Sequence, residues 1–376
     1  MTSVNGIVPP AYGEMGRLFT GALDIKPTFS ISGIGGRWIV LQFLAGLEHD
    51  LLRNAHQTIL DSAPLFDDID ACYFGIVTHE KAFSSGPLSV LPGRRYFQDF
   101  DEAITSLYGV KVSGGYMPMT ILLDRSLRVV AAEPIRRTPE VLDLMRRCIE
   151  EDRPNLHQHT APVLTVPRIF EPEFCKQLIS YYEQDGGGPS GFMRQVGGRT
   201  VAVHDPRFKR RRDAAIQDEF LRGQAVARIR RRLLPAIERA FSWRGTRIER
   251  YIVACYSADD RGFFNAHRDN TTLATAHRKF AVSINLNAED FEGGELRFPE
   301  FGPRTYKPPT GGATVFGCGL LHEATPVTRG VRYAFLPFLY DDEGAKIREA
   351  NLHALMPDPQ DADQPPMELS GALPGT

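Results

Sequence analysis

Apolar runs alternate with helical periodicities through the first half of the chain. Residues 37–44 form a dense β-branched and apolar run, which is typical of a strand buried on both faces. Residues 50–63 then carry leucine, isoleucine and alanine at helical spacing. A second strand at residues 69–77, a helix at 100–108 and a hairpin formed by 119–124 and 129–132 follow. The pattern predicts an α/β domain.

The second half changes to helices followed by many short strands. Residues 171–184 predict an amphipathic helix that is entered through Pro172 and ended by a run of glycines. A longer helix is predicted at residues 218–241, and the Gly-rich residues 186–200 predict a mobile surface loop. From Arg250 onward, short strands separated by Gly, Pro and Asp turns predict a mostly β jelly roll, a double-stranded β-helix.

These patterns, in a chain of 376 residues, predict two domains. We place an α/β domain at residues 1–151, where strand-helix-strand followed by helix and hairpin is the order of a thioredoxin-like fold. The polar, proline-containing residues 152–162 predict a linker, and residues 163–343 form the β domain. Residues 344–376 predict a tail with a short helix at 346–355 and then disorder.

The composition and net charge of the chain narrow the classes of function that it can have. The formal net charge of −2 gives no overall attraction to nucleic acid or to membranes. No apolar run approaches the ~20 residues of a membrane span, and residues 1–13 lack the features of a signal peptide. Five scattered cysteines without a CxxC pair are typical of reduced thiols inside the cell. We predict a cytoplasmic protein that binds no membrane, with nucleic acid disfavoured as a partner.

The candidate chemistry lies in the sequence FFNAHRD at residues 263–269. His267 and Asp269 form an H-x-D pair on an extended segment, where side chains at i and i+2 point to the same side. His322, in a second extended run, can supply a third ligand. Two histidines and one carboxylate leave positions open on a six-coordinate metal, as in non-haem Fe(II) oxygenases. Ten residues later, Arg332 lies in a strand-like segment and can clamp a carboxylate bidentately.

From about residue 163 to 341 the chain resembles the Fe(II)/2-oxoglutarate-dependent dioxygenases, most closely their prolyl-4-hydroxylase-like branch. The resemblance rests on the H-x-D pair, on SINLN at 283–287, FEGGELRF at 291–298, HEATPV at 322–327 and GVRY at 330–333. It implies a hydroxylase that uses dioxygen and binds Fe(II) through His267, Asp269 and His322. It also implies 2-oxoglutarate as cosubstrate, with ascorbate as an auxiliary reductant.

The resemblance assigns the cosubstrate contacts as well. Arg332, the fourth catalytic residue, is expected to bind the distal carboxylate of 2-oxoglutarate, and Tyr256 to donate its hydroxyl to that carboxylate. Asn285 stands where this branch often has a tyrosine facing the cosubstrate, which leaves its role open. The motifs do not specify the substrate. A peptidyl proline or another amino-acid side chain is favoured, and a small molecule hydroxylated by the same mechanism is the alternative.

The first domain resembles the peroxiredoxin and thioredoxin families, chiefly through MPMTILLD at residues 117–124. A peroxiredoxin needs a thiolate of low pKa in the turn after the strand that ends at Leu44. That turn is AGLEHD, residues 45–50, and it contains no cysteine. Cys72 lies in the middle of a strand and is predicted to be a buried, inert thiol. We therefore expect a redox-inactive domain that binds substrate or forms a homodimer.

Two other interpretations fit the same site residues. A jelly-roll hydrolase could hold Zn(II) with the same three ligands, although Arg332 argues against it. A non-catalytic scaffold would use both folds as an interaction platform. The basic clusters at 206–213 and 228–232 fit a solvated face, or the binding of an acidic substrate or nucleic acid. Four further polar residues are expected in loops or behind the site: His204, His277, Arg278 and Glu323.

Overall fold

The computed structural model describes residues 7–113, 115–354 and 367–368, which form two compact units. The first unit covers the described residues up to Thr160 together with Pro299–Arg304. The second covers Ala161–Phe298 and the described residues from Thr305 onward. Most of the predicted tail, including its predicted disorder, lies outside the described residues. Among the described residues, no helix combines the length and the apolar composition that a membrane span requires.

The first unit is built on a seven-stranded sheet of order β2-β1-β5-β4-β3-β8-β9. In it β3, β4 and β5 run parallel to one another, β8 is antiparallel to β3, and β9 is antiparallel to β8. This order confirms the predicted thioredoxin-like fold. The strands and helices of this unit are β1 (Thr20–Leu23), β2 (Lys26–Ser30), β3 (Trp38–Ala45), α1 (Asp50–Asp61), β4 (Ala71–Val77), β5 (Arg94–Gln98), α2 (Ala103–Leu107), β6 (Lys111–Val112), β7 (Gly115–Tyr116), β8 (Met119–Leu123), β9 (Val129–Pro134) and α3 (Thr138–Asp152).

The strand β3 is buried on both faces, as its apolar run predicts. Ile39, Leu41 and Phe43 belong to one apolar cluster, whereas Val40 and Leu44 belong to a second. Alternate residues of a strand point to opposite faces of the sheet, so the two clusters lie on its two sides. The apolar faces of α1 and α3 pack into the second cluster.

The turn after β3 leads into α1 without a thiol. His49 caps the helix, because its Nδ1 accepts a hydrogen bond of 3.3 Å from the N–H of Leu51. Cys72 lies within β4 and is 1 % exposed. Burial raises the pKa of the Cys72 thiol to about 12. The predicted buried thiol is therefore confirmed, and at neutral pH it carries almost no thiolate.

The second unit contains a larger and a smaller sheet. Its strands and helices are β10 (Leu164–Val166), α4 (Pro172–Asp185), β11 (Gly188–Pro189), β12 (Phe192–Val196), β13 (Arg199–Val203), β14 (Lys209–Arg210), β15 (Arg212–Ala215), α5 (Glu219–Arg228), α6 (Leu234–Phe241), β16 (Arg247–Glu249), β17 (Ile252–Ser257), β18 (Phe263–His267), β19 (Phe280–Asn285), β20 (Glu292–Gly293), β21 (Leu296–Arg297), β22 (Thr305–Tyr306), β23 (Ala313–Gly317), β24 (His322–Ala324), β25 (Val327–Arg329), β26 (Val331–Phe335), β27 (Phe338–Tyr340), α7 (Asp342–Asn351) and β28 (Met367–Glu368).

The larger sheet runs β11-β15-β17-β26-β19-β27-β16-β28, with β23 and β10 branching from β19, and the smaller runs β14-β18-β24-β21-β22. This arrangement confirms the predicted jelly roll. The helices α4, α5 and α6 pack on the larger sheet in one apolar cluster that includes Leu178, Ile237 and Val253. Alternate residues of a strand point to opposite faces of the sheet. On the strands of the larger sheet, the residues that alternate with the members of this cluster therefore point into the barrel.

The prediction of a mobile loop at residues 186–200 is wrong for most of that range. The segment forms β12 and β13, which pair in a regular antiparallel ladder. The two connecting glycines, Gly197 and Gly198, have φ of 54° and 79°. A two-residue turn with positive φ at both positions matches the twist of a hairpin. The Gly-Gly pair was therefore a hairpin signal rather than a loop signal.

The predicted helix at residues 218–241 has the expected extent but is not uniform. Asp218 caps α5 by accepting a hydrogen bond of 2.9 Å from the N–H of Leu221. A π-helix, Ile229–Leu233, separates α5 from α6. Pro235 lies in the first turn of α6, where a missing N–H costs least. The last helix, α7, begins at Asp342, four residues before the predicted start.

The thiol of Cys72 gives the first testable prediction. In the folded full-length chain, Ellman's reagent should label the partly exposed Cys148 and Cys255 while Cys72 reacts only after unfolding, because burial disfavours its thiolate. Mass spectrometry of the labelled peptides measures this. Thiol-dependent consumption of peroxide that disappears in Cys72→Ser would contradict the assignment of an inert thiol.

Candidate metal and anion site

The centre of the site depends on the pairing of β18 with β24. These strands are antiparallel, and His267 lies directly opposite His322. Residues directly opposite on neighbouring strands have their Cβ atoms about 4.5–5.5 Å apart on the same face. Asp269 follows two residues after His267, and its backbone N–H donates to the carbonyl of Cys318 at 2.9 Å. The three predicted site residues are thereby brought together.

The distances within this group suit a shared cation. The Nε2 atom of His267 lies 3.5 Å from Oδ1 of Asp269, and the Nε2 atom of His322 lies 3.3 Å from Oδ2. One ligand atom from each residue lies within 4.8 Å of the other two. Two imidazoles and one carboxylate in this arrangement match the donors of a 2-His-1-carboxylate iron site.

Both imidazoles are oriented by the backbone. The Nδ1–H of His267 donates to the carbonyl of Asn265 at 2.8 Å, and that of His322 donates to the carbonyl of Leu320 at 3.0 Å. These bonds select the tautomer whose Nε2 carries the lone pair, which is how metal-binding histidines are usually held. Both Nε2 lone pairs are therefore available to a cation beside Asp269.

The electrostatics of the site favour the protonation states that bind a metal. Burial and the neighbouring His322 lower the pKa of His267 to about 4. Burial alone would raise the pKa of Asp269, but the neighbouring His322 and His267 hold it well below its usual range. A metal binds neutral imidazole and ionised carboxylate. The residues present therefore fit a divalent cation such as Fe(II).

Aromatic rings pack against the two histidines. The ring of Phe264 stacks on His267 with centroids 3.5 Å apart, and Phe316 lies 4.5 Å from His322. Beside them is a pocket of about 480 Å³, measured out to its open mouth. His267, Asp269 and His322 line one part of this pocket, so a molecule bound there would reach the metal position.

Arg332 lines another part of the pocket. It lies on β26, opposite Tyr256 on β17, and is 2 % exposed. Its Nη2 donates to the hydroxyl of Ser283 at 2.8 Å, and its Nε donates to Oδ1 of Asn285 at 3.4 Å. Within the described part of the chain, the Arg332 guanidinium forms no ion pair, and burial lowers its pKa. A buried, uncompensated cation facing a pocket fits a carboxylate ligand.

Two other predicted site residues take different positions. Tyr256 lines the pocket, and its ring centroid lies 5.2 Å from Cζ of Arg332. Asn285 is 3 % exposed and donates from Nδ2 to the carbonyl of Pro308 at 2.8 Å, so it lies behind Arg332 and outside the pocket lining. Its geometry suits the orientation of Arg332 rather than direct contact with a ligand.

The main residue that sequence reasoning missed is Arg211, in the first basic cluster. Arg211 is 7 % exposed and lines the pocket, and Lys209 is also buried, so the solvated-face interpretation is wrong for these two residues. The signal was the alternation of Lys209, Arg211 and Asp213 at every second position of an extended segment. In the second cluster, Arg228 and Arg232 both pair with Glu171.

The remaining polar residues lie behind the site or outside it. Glu249 is buried and pairs with His277 at 3.0 Å and with Arg278 at 2.7 Å. Burial alone would raise the pKa of Glu249, but these two partners hold it well below its usual range. Glu323 pairs with Arg297. His204 is exposed and is not among the residues that line the pocket.

Comparison with known proteins points to one family for the β unit. Residues 251–340 match the family model of the 2OG-Fe(II) oxygenase superfamily. A PKHD-type hydroxylase of Synechococcus sp. (strain JA-2-3B'a(2-13)) is 31% identical over 93 residues, which are 23% of this chain and 41% of the relative. The chain thus spans about two fifths of the length of the curated relatives it matches. These matches confirm the oxygenase resemblance of the second half.

Solved structures resemble each half. A prolyl hydroxylase from Trichoplax adhaerens, in complex with a hypoxia inducible factor oxygen degradation domain peptide fragment, is 19% identical with a TM-score of 0.39. That match covers 51% of this chain and 87% of the other. A thiol peroxidase from Chromobacterium violaceum is 18% identical with a TM-score of 0.30, over 38% of this chain and 90% of the other. At these scores the likeness is slight, and the folds rest on the strand orders given above.

Gly294 gives the second testable prediction. Its φ is +62°, and a Cβ there would lie 2.7 Å from Cγ2 of Val327 and 3.2 Å from Cδ of Arg332. The left-handed conformation costs an L-residue about 1–2 kcal/mol, so Gly294→Ala should lower the thermal unfolding midpoint of the chain. The matched control is Gly317→Ala, because φ is not positive there and a Cβ would meet nothing within 4 Å. Equal midpoints for the two variants would contradict this close packing.

Proposed function

We propose that the second unit is an Fe(II)- and 2-oxoglutarate-dependent dioxygenase that hydroxylates a peptidyl proline or another amino-acid side chain. One observation carries the proposal. Three metal-type ligand atoms converge on one side of a pocket, and a buried guanidinium without a carboxylate partner lines the same pocket. The family match over residues 251–340 supports the same chemistry.

In this proposal His267, Asp269 and His322 hold Fe(II). The bound iron would supply dioxygen activation, coupled to the oxidative decarboxylation of 2-oxoglutarate to succinate and the hydroxylation of a C–H bond. The protein's part is to fix the ligand tautomers through the backbone carbonyls of Asn265 and Leu320 and to exclude water with aromatic rings. Ascorbate is proposed as the reductant that keeps the iron ferrous.

The cosubstrate is proposed to lie between the metal and Arg332. The guanidinium would receive the distal carboxylate, with Ser283 and Asn285 holding its orientation from behind. Three of its five N–H donors are left over after these two contacts, enough for a paired interaction with a carboxylate. Tyr256 lies against the same guanidinium and can add a hydroxyl contact to that carboxylate.

The alternatives are less well supported. A Zn(II) hydrolase would use the same ligands but has no need for a buried, uncompensated Arg332. A non-catalytic scaffold leaves the converging lone pairs of the two histidines without a purpose. A small-molecule substrate is compatible with the pocket and is the second candidate.

We propose that the first unit binds substrate or forms a homodimer and that the protein acts in the cytoplasm.

The metal ligands give the third prediction. His267→Ala or Asp269→Ala removes one of three ligands, and loss of even an outer partner of a metal ligand costs about 10–100-fold in affinity. We expect the affinity for Fe(II) to fall at least about 100-fold and 2-oxoglutarate-dependent succinate formation to be lost. Anaerobic titration with Fe(II) and a succinate assay measure the two effects. The exposed His157→Ala is the control, and unaltered affinity and turnover in both ligand variants would refute the assignment.

The cosubstrate contact gives the fourth prediction. A hydrogen bond to a charged group contributes about 1.5–3 kcal/mol, so Arg332→Ala should raise the KM for 2-oxoglutarate about 10- to 150-fold. The exposed Arg329→Ala removes the same charge three residues away and should leave the KM unchanged. Steady-state kinetics with 2-oxoglutarate as the varied component measures this. An unaltered KM in Arg332→Ala would mean that another basic residue binds the carboxylate.

A further inference from the structure

The pocket has a second buried guanidinium, and the proposed function does not use it. Arg211 lines the pocket between two aromatic rings, with its Cζ 5.7 Å from the ring centroid of Tyr256 and 6.0 Å from that of Phe264. Phe264 is the ring that stacks on His267, and Tyr256 is the ring beside Arg332. Arg211 therefore contacts the rings that cover both the metal position and the proposed cosubstrate position.

The Arg211 guanidinium is held rigidly on one side. Its Nε and Nη2 donate to the two oxygens of Asp213 at 2.7 and 2.6 Å, and Nη2 also donates to the hydroxyl of Ser190 at 3.0 Å. Its Nη1 donates to the Tyr256 hydroxyl at 3.3 Å. Arginine has five N–H donors. The second hydrogen on Nη1 has no protein acceptor among the described residues, and it belongs to the edge that Asp213 does not cover.

Three basic side chains surround the carboxylate of Asp213. Asp213 pairs with both Arg211 and Arg250, which also lines the pocket, and Lys209 is buried beside them. Burial alone would raise the pKa of Asp213, but Arg211, Lys209 and Arg250 hold it well below its usual range. Burial and the charge of Arg211 lower the pKa of Lys209. This wall of the pocket therefore favours an additional anion.

The proposed cosubstrate does not supply that anion. Of the two carboxylates of 2-oxoglutarate, one is assigned to the metal and the other to Arg332. Arg332 has its own support from Ser283 and Asn285, separate from the Ser190 and Asp213 that hold Arg211. The two guanidinium groups are thus held by different polar side chains, and Tyr256 lies beside both of them. The position beside Arg211 is left for the molecule that is hydroxylated.

We infer that Arg211 binds a carboxylate of the primary substrate, so that the substrate is a carboxylate-bearing amino-acid derivative rather than a neutral one. This inference rests on the proposed function for the identity of the reaction. The carboxylate could be the main-chain carboxylate of a free amino-acid derivative or the side-chain carboxylate of an acidic residue. Both present the same planar anion to a guanidinium.

The test compares acids with their own amides. N-acetyl-L-proline and N-acetyl-L-prolinamide probe a main-chain carboxylate. N-acetyl-L-glutamic acid α-amide and N-acetyl-L-glutamine α-amide probe a side-chain carboxylate. Isothermal titration of the full-length chain, with Mn(II) as a redox-inactive metal and saturating 2-oxoglutarate, measures binding without turnover. We expect the acid of at least one pair to bind about 10-fold or more tightly than its amide, as a charge-assisted hydrogen bond provides.

Two variants assign that preference to Arg211. Arg211→Gln should remove the preference for the acid. The variant should lose more affinity for the acid than for 2-oxoglutarate. Arg211→Lys keeps the charge but lacks the Nη1–H on the edge that Asp213 does not cover, so it should retain a reduced preference. The control is Arg210→Gln, which makes the same change of charge at an exposed neighbour and should keep the full preference. Circular dichroism establishes that each variant is folded.

Three results of these titrations would overturn the inference, and one further result would count only against the proposed function. Equal binding of acid and amide in both pairs overturns the inference, as does an acid preference that survives in Arg211→Gln. If Arg211→Gln loses affinity only for 2-oxoglutarate, Arg211 binds the cosubstrate instead, and the inference is overturned. Failure of the unaltered protein to decarboxylate 2-oxoglutarate would count against the proposed function alone, because the acid preference can be titrated on the metal-free chain as well.

Discussion

The site depends on the register of one pair of strands. β18 and β24 place His267 opposite His322, and a slip by one residue would turn every side chain of one strand to the other face of the sheet. Phe264 lies opposite Ala324 in the same ladder and both are buried, and the register shifts at an irregularity between this pair and the two histidines. Asp269 then needs only two residues of chain to reach the point between the imidazoles. The metal geometry is therefore a consequence of how the smaller sheet packs.

The pocket combines this rigid centre with charges that the protein itself does not neutralise. A buried guanidinium without a carboxylate is costly to folding, and Arg332 is in that position. The cost is tolerated because Ser283 and Asn285 each accept one hydrogen bond and because the ring of Tyr256 faces the cation. Gly294 contributes by letting the backbone pass close to the Arg332 side chain. A ligand carboxylate next to Arg332 would offset this cost.

Much of this arrangement could be predicted from the sequence, for a physical reason. His267, His322 and Arg332 lie on strands, and Asp269 follows in the turn directly after the first of these strands, so that the H-x-D spacing keeps it next to His267. What could not be predicted depends on pairing between distant segments. Arg211 becomes a pocket residue only because the segment that carries it pairs beside β17, which holds Tyr256. Asn285 lies behind Arg332 for the same reason, since its neighbours on β26 decide which way it faces.

The two units illustrate why function has to be argued from sites and not from folds. In the first unit the central strand, its two apolar clusters and the following helix are all present, and no thiol lies in the turn between that strand and the helix. The start of α1, where a helix dipole would favour a thiolate, is capped by His49 instead. In the second unit, by contrast, Arg332 is buried without an ion pair among the described residues and lines the pocket. Arg211 lines the same pocket but pairs with Asp213, so its removal would leave a buried carboxylate without that partner. The second unit therefore places buried charge where a ligand can reach it, whereas the first has no thiol at the start of α1.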